Sequence, residues 1–109
     1  MPYHRRFKDE LDRQVDVLYF RCYLARYLES GRVTHGHGLF VPLKLLLSDL
    51  LAWLDQATTP LKHKPNLGSL SEALGVLGIS QDAGVARAYG GVPRPRARWV
   101  LGLDLSGGG

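Results

Sequence analysis

The chain has 109 residues, 45% of them hydrophobic and 22% charged, with a net charge of +4. That length supports one domain whose core needs neither disulfides nor metal. The single cysteine, Cys22, excludes an internal disulfide and a thiolate metal cluster, and it fits a cytoplasmic protein.

The first predicted element is a long helix from about Tyr3 to Glu29. Phe7, Leu11, Val15, Leu18, Cys22 and Ala25 recur at steps of three and four, the spacing of one helical face. No apolar run follows the charged start of the chain, so no secretory signal is expected. Between Val17 and Leu28 only Arg21 and Arg26 break the apolar and aromatic run. A helix apolar on most sides must be covered on most sides. At about 1.5 Å per residue it is roughly 40 Å long, more than the rest of the chain can easily wrap. This points to a homodimer, with Phe20, Tyr23, Leu24 and Tyr27 at the interface. Cys22 reads as a small core residue.

Leu39-Phe40-Val41 is a short extended piece, and Pro42 opens a second helix reaching about Gln56 with Leu43, Leu46, Leu47, Leu50, Leu51 and Leu54 on its apolar face. The run from Leu39 to Leu54 is too short and too charged to span a bilayer, so no membrane partner is expected. A basic loop with Lys62, His63 and Lys64 follows. The third helix is short, Leu70 to Leu77, with Ser69 as its cap and Glu72 completing a capping box.

From Val85 the period changes to two. Val85, Arg87 and Tyr89 form one strand face, and Gly90-Gly91 offers the turn. In the returning strand, Ala97, Trp99, Leu101, Leu103 and Leu105 share one face while Arg96, Arg98, Val100, Gly102 and Asp104 share the other. Pro93 and Pro95 delay regular pairing to about Arg96. The expected fold is thus α+β, a winged helix-turn-helix at 32–105 preceded by the long helix at 1–31 and followed by a flexible tail at 106–109.

Residues 39–105 resemble the winged-helix domain at the C-terminus of phage and plasmid primase–helicases and related replication proteins. Phe40-Val41-Pro42 leads into a leucine-rich helix carrying Trp53. A loop with Pro60-Leu61 follows, then Leu74-Gly75-Val76-Leu77-Gly78-Ile79, and Arg98-Trp99-Val100-Leu101-Gly102-Leu103-Asp104-Leu105 closes the domain. The resemblance implies nucleic-acid binding. It does not extend to the primase and helicase motors, whose place the long helix takes. The helix that would enter the major groove, Leu70 to Leu77, has no Lys or Arg.

The charge distribution agrees with an anionic partner. Residues 1–56 hold eight Lys/Arg against seven Asp/Glu, whereas residues 57–109 hold six against three. Arg87, Arg94, Arg96 and Arg98 fall within twelve positions, and arginine forks suit phosphates and narrow minor grooves. Lys62, Lys64, Ser69 and Ser71 would meet the sugar-phosphate backbone or the major groove. The alternative for the wing is a charged edge that guards against aggregation.

Other constellations point away from catalysis. His4, His35, His37 and His63 lack a Cys or acid at zinc-ligand spacing, so no metal or cofactor is expected. Asp9, Asp12 and Asp16 stand among Arg5, Arg6 and Arg13, the pattern of a salt-bridged solvated face. No nucleophile has a His or Asp partner in a defined motif, and no enzyme is expected. The leading expectation is a cytoplasmic, dimeric DNA-binding accessory factor of replication or transcription on a mobile element. Its rival is an adaptor or inhibitor that uses the same scaffold to bind another protein.

Overall fold

A computed structural model of the protein describes residues 2–57 and 64–106, with side chains from Leu11 onward except Asp12 and Arg13. It is an α+β fold. Helices α1 (Pro2–Leu28), α2 (Leu43–Ala57) and α3 (Leu67–Val76) accompany strands β1 (Val33–Pro42), β2 (Gln81–Ala83), β3 (Arg87–Tyr89), β4 (Val92–Arg94) and β5 (Arg98–Leu105). Strands β1, β5 and β2 form one antiparallel sheet in that spatial order, and β3 and β4 form a separate hairpin.

The leucine face of α2 packs as its spacing predicts: Leu43, Leu46, Leu50 and Leu54 are buried. They meet Leu70, Ala73 and Leu74 of α3, and Phe20, Leu24, Tyr27 and Leu28 of α1. Pro42 closes β1 rather than opening α2, which begins one residue later. Asn66, not Ser69, caps α3. Its side chain accepts from the Ser69 backbone N–H at 2.9 Å, and its own N–H donates to the Ser69 hydroxyl at 2.8 Å. The capping box is therefore shifted by one turn, with Ser69 in the place expected of Glu72, and the helix gains its first turn at Leu67.

β1 is longer than expected because it pairs in two pieces. Val33, Thr34 and His35 face Leu105, Asp104 and Leu103, while Phe40, Val41 and Pro42 face Leu101, Val100 and Trp99. From His35 to Phe40, β1 advances five residues against two on β5, so Gly36 to Leu39 bulge outward. Gly102, at φ 82°, sits on β5 opposite the bulge and breaks the strand's alternation. Its effect is visible in burial. Val100 and Leu103, three positions apart, both join the helical core with Val33 and Val41. Trp99 is equally buried but lies outside that cluster, beneath the hairpin, edge-on to Phe40 at 5.2 Å and donating from Nε1 to the Val85 carbonyl at 2.8 Å. The expected common face of Trp99 and Leu103 is corrected accordingly.

A polar knot joins three elements on the edge of the core. The Tyr27 hydroxyl donates to Asp49 Oδ2 at 2.6 Å, and Arg32 donates to both Asp49 oxygens at 3.2 and 2.8 Å. Hydrogen bonding from Arg32 holds the Asp49 carboxyl below its usual range. Burial, followed by the bond to Asp49, raises the Tyr27 phenol far above its usual range.

The structure moves three further expectations. Phe20, Leu24 and Tyr27 are buried in the chain's own core and Tyr23 packs against it, so these residues are not free to form the homodimer interface expected of them. They occupy a second apolar face of α1, which the body of the domain takes. Cys22 is exposed, on the other face. Ser106, expected to begin a loose tail, is held by its N–H on the Arg32 carbonyl at 2.9 Å. No helix among the described residues is long and apolar enough to cross a membrane.

Candidate nucleic-acid interface

The hairpin is built on Gly90-Gly91, whose φ values of 60° and 80° are those of a two-residue turn matched to strand twist. It pairs Arg87 with Arg94, Ala88 with Pro93 and Tyr89 with Val92. Two like charges in register oppose each other unless one is neutralised. Arg87 is: it bonds Asp82 at 3.2 Å, and its guanidinium lies 5.4 Å from the Phe40 ring centre and 5.6 Å from that of Trp99. Arg87 therefore braces the hairpin against the sheet and is not a free contact for phosphate. Tyr89 adds a second brace by donating to Asp104. Burial, then that bond, pushes its phenol up to about 12.

The chain turns at Pro95-Arg96 before entering β5 at Arg98, so Arg94, Arg96 and Arg98 do not alternate along one continuous ribbon. The turn nonetheless gathers them. All three line a groove of about 520 Å³, together with Pro95 and Ala97, Pro42 to Lys44 at the start of α2, and Leu67 at the start of α3. Among the described residues, four cations and no acid border it. Arg96, Arg98 and Lys44 are exposed and Arg94 is half-buried. The N-terminus of α2 adds its partial positive charge. Lys44 was not among the expected contacts, because a lone lysine in a leucine-rich helix gives no sign that a segment fifty residues later will fold beside it.

Arg98 is oriented from behind. Its guanidinium donates to the Ser71 hydroxyl at 3.2 Å, which donates to Gln81 Oε1 at 2.7 Å, while Gln81 Nε2 donates to the Ser71 carbonyl at 2.9 Å. Ser71 thus holds a groove arginine in place and ties α3 and β2 to it.

The chain matches no protein-family model, no curated protein and no solved structure.

Lys64 and Ser69 do not join this groove. They line a separate cleft of about 350 Å³ between α1 and the start of α3, with Asp16, Val17, Phe20, Pro65 and Asn66. The Ser69 hydroxyl is occupied by the cap, donating to the Asn66 carbonyl at 3.1 Å while accepting from its N–H. Lys62, His63 and His4 lie outside the described residues or side chains. His35 places Nε2 2.7 Å from the Leu28 carbonyl. Among the described residues no three His, Cys, Asp or Glu side chains stand together as metal ligands would.

Proposed function

We propose that the protein is a DNA-binding winged-helix factor that grips the sugar-phosphate backbone in the groove between its wing and the start of α2. The convergence of Lys44, Arg94, Arg96 and Arg98 on one groove with no acid among its described lining residues carries this reading. The element order supports it: helix, strand, two helices, and an antiparallel sheet with the last strand in the middle follow the plan of a winged helix-turn-helix. On the resemblance to replication proteins, the role is that of a cytoplasmic accessory factor in replication or transcription on a mobile element.

The bare α3 shapes the mode of binding. Without Lys or Arg it offers little to base edges or phosphates, so wing and backbone contacts dominate and sequence discrimination is weak. Fluorescence anisotropy with duplex and single-stranded oligonucleotides across a salt series tests the proposal. Log affinity should fall against log salt with a slope of about −0.9 per neutralised phosphate on duplex. Arg94→Ala/Arg96→Ala/Arg98→Ala should flatten it by about three contacts, and Lys44→Ala by about one more. Absence of binding at low salt would overturn the reading.

One observation favours a second reading, a protein adaptor or inhibitor. Val76 and Leu77, at the end of α3, are 57% and 39% exposed beside exposed Gly75. A smooth apolar surface of this kind suits a protein partner better than DNA. Capture of a partner that resists several hundred millimolar salt and survives loss of the wing arginines would decide for it.

A further inference from the structure

The basic groove is lined by hydrocarbon as well as by charge. Pro42 and Leu43, both buried, line it where β1 passes into α2, and Leu67 lines it from the start of α3 while 40% exposed. In the turn before β5 the two kinds of residue alternate, with exposed Pro95 and half-buried Ala97 set between the three arginines. Five of the nine described lining residues are therefore apolar. The volume, about 520 Å³, falls within the range of roughly 300–1,000 Å³ typical of sites that enclose a small molecule, and such sites combine an apolar lining with a few polar groups.

A closed duplex matches only half of this lining. Its base faces are stacked inward, and what it turns outward is sugar and phosphate. The phosphates would satisfy the cations but set the exposed hydrocarbon of Leu67 and Pro95 against a charged backbone. Nor does the rest of the fold favour a duplex: α3, which would hold one through its major groove, has no Lys or Arg. An unpaired strand matches both halves, with a phosphate at every step and a flat apolar base face released from its stack. Among the described residues none of the four cations is ion-paired, so their charge is open to that strand.

We infer that the groove takes an unpaired stretch of DNA, with a base laid against Leu67 and Pro95 and the adjoining phosphates on the cations. The inference rests on the DNA-binding reading and narrows it: the protein binds where the duplex is open. Hydrocarbon side chains meet the face of a base and not its edges, so the preference is for the unpaired state and not for a sequence. The guanidinium planes of the neighbouring arginines add a second surface on which a base stacks.

Anisotropy on the full chain, at one fixed salt concentration, compares a mixed-sequence single strand of about twelve nucleotides with the blunt duplex made from it. The single strand should bind about tenfold tighter. Leu67→Ser/Pro95→Ser should remove that advantage and leave the single-strand salt slope as it was, because no phosphate contact is lost, whereas Leu67→Met should keep the advantage. Circular dichroism shows whether the double variant is folded. A single strand carrying 2-aminopurine reads the same event without any variant: its emission should rise with wild-type protein as the base leaves its stack. Equal affinity for the two forms, tighter binding to the duplex, a folded double variant that keeps the preference, or no rise in emission overturns the inference. The DNA-binding reading then still stands if Arg94→Ala/Arg96→Ala/Arg98→Ala weakens binding. Absence of binding to either form overturns both.

Discussion

Asp49 shows how one carboxylate can decide the geometry of three elements. It accepts from Tyr27 at the end of α1 and from Arg32 ahead of β1, while standing on α2. Asp49→Ala leaves the largely buried Tyr27 hydroxyl without its acceptor, and a loss of about 1–3 kcal/mol is expected in urea denaturation at pH 7. The pH dependence has a definite sign. The folded carboxyl titrates below its unfolded value, so the unfolded chain binds the proton more tightly and stability rises with pH through that window. The gap between wild type and Asp49→Ala should be fully open above the ordinary carboxylate range and close as the pH falls through the lowered value. A gap of constant size down to acid pH would show that the knot contributes nothing through its charge. None of this was legible in the sequence. Asp49 there is one acid in a leucine-rich run, and nothing marks it as the partner of a tyrosine twenty-two positions earlier.

At the scale of elements, periodicity was a good guide wherever one face is buried along the whole segment. The leucines of α2 and the change to period two after Val85 both led to real elements. It failed where the chain changes phase. Only Leu39 to Val41 was expected to be extended, yet the strand begins at Val33 and continues on both sides of its bulge, and Gly102 redirects Leu103 to the opposite face from the one alternation assigns. β2 went unseen because Gln81-Asp82-Ala83 has no apolar pattern and exists through its pairing with β5. Of the four clustered arginines, Arg94, Arg96 and Arg98 come together as their spacing suggested, whereas the bracing role of Arg87 was not legible because its ring neighbours Phe40 and Trp99 are remote in sequence or hidden by the hairpin. The turn itself yields a sharp expectation. Gly91→Val puts a β-branched residue at a φ of 80°, costing at least about 1–2 kcal/mol, and the hairpin should loosen while the helical core stays intact. Amide exchange that rises at Arg87 to Arg94 and not in α2 would bear this out; uniform exchange would not.

For the molecule as a whole, two packed layers share one sheet. The helices cover one side, and the hairpin closes over Trp99 on the other. The second layer is small, so its one large fully buried ring carries much of its cohesion. Trp99→Ala should cost about 3–5 kcal/mol, a large part of the stability of a domain this size, and should lower the Tm by well over ten degrees. On the proposed function, the same variant should also lose nucleic-acid binding at temperatures where it remains folded, since Arg94 stands on that hairpin and Arg98 beside Trp99. A Trp99→Ala protein with unchanged salt slope would separate the hairpin from the groove. Helix-face exposure was the other whole-molecule property beyond the sequence: α1 is rich in apolar residues on two sides, and only the position of the body decides which side is taken.

The central strand of the sheet is also the last to be made. β1 is complete at Pro42, but the neighbour that pairs with it ends at Leu105, and β2 waits for the same strand. At ribosomal speeds of about 5–20 residues per second, β1 spends several seconds after its own synthesis with no partner for its amides and carbonyls. During that interval the helices can collapse onto one another while both flanking strands present open edges to other nascent chains. The sheet can therefore close only once β5 has emerged, and until then its two flanking strands are the part of the chain most open to wrong pairing.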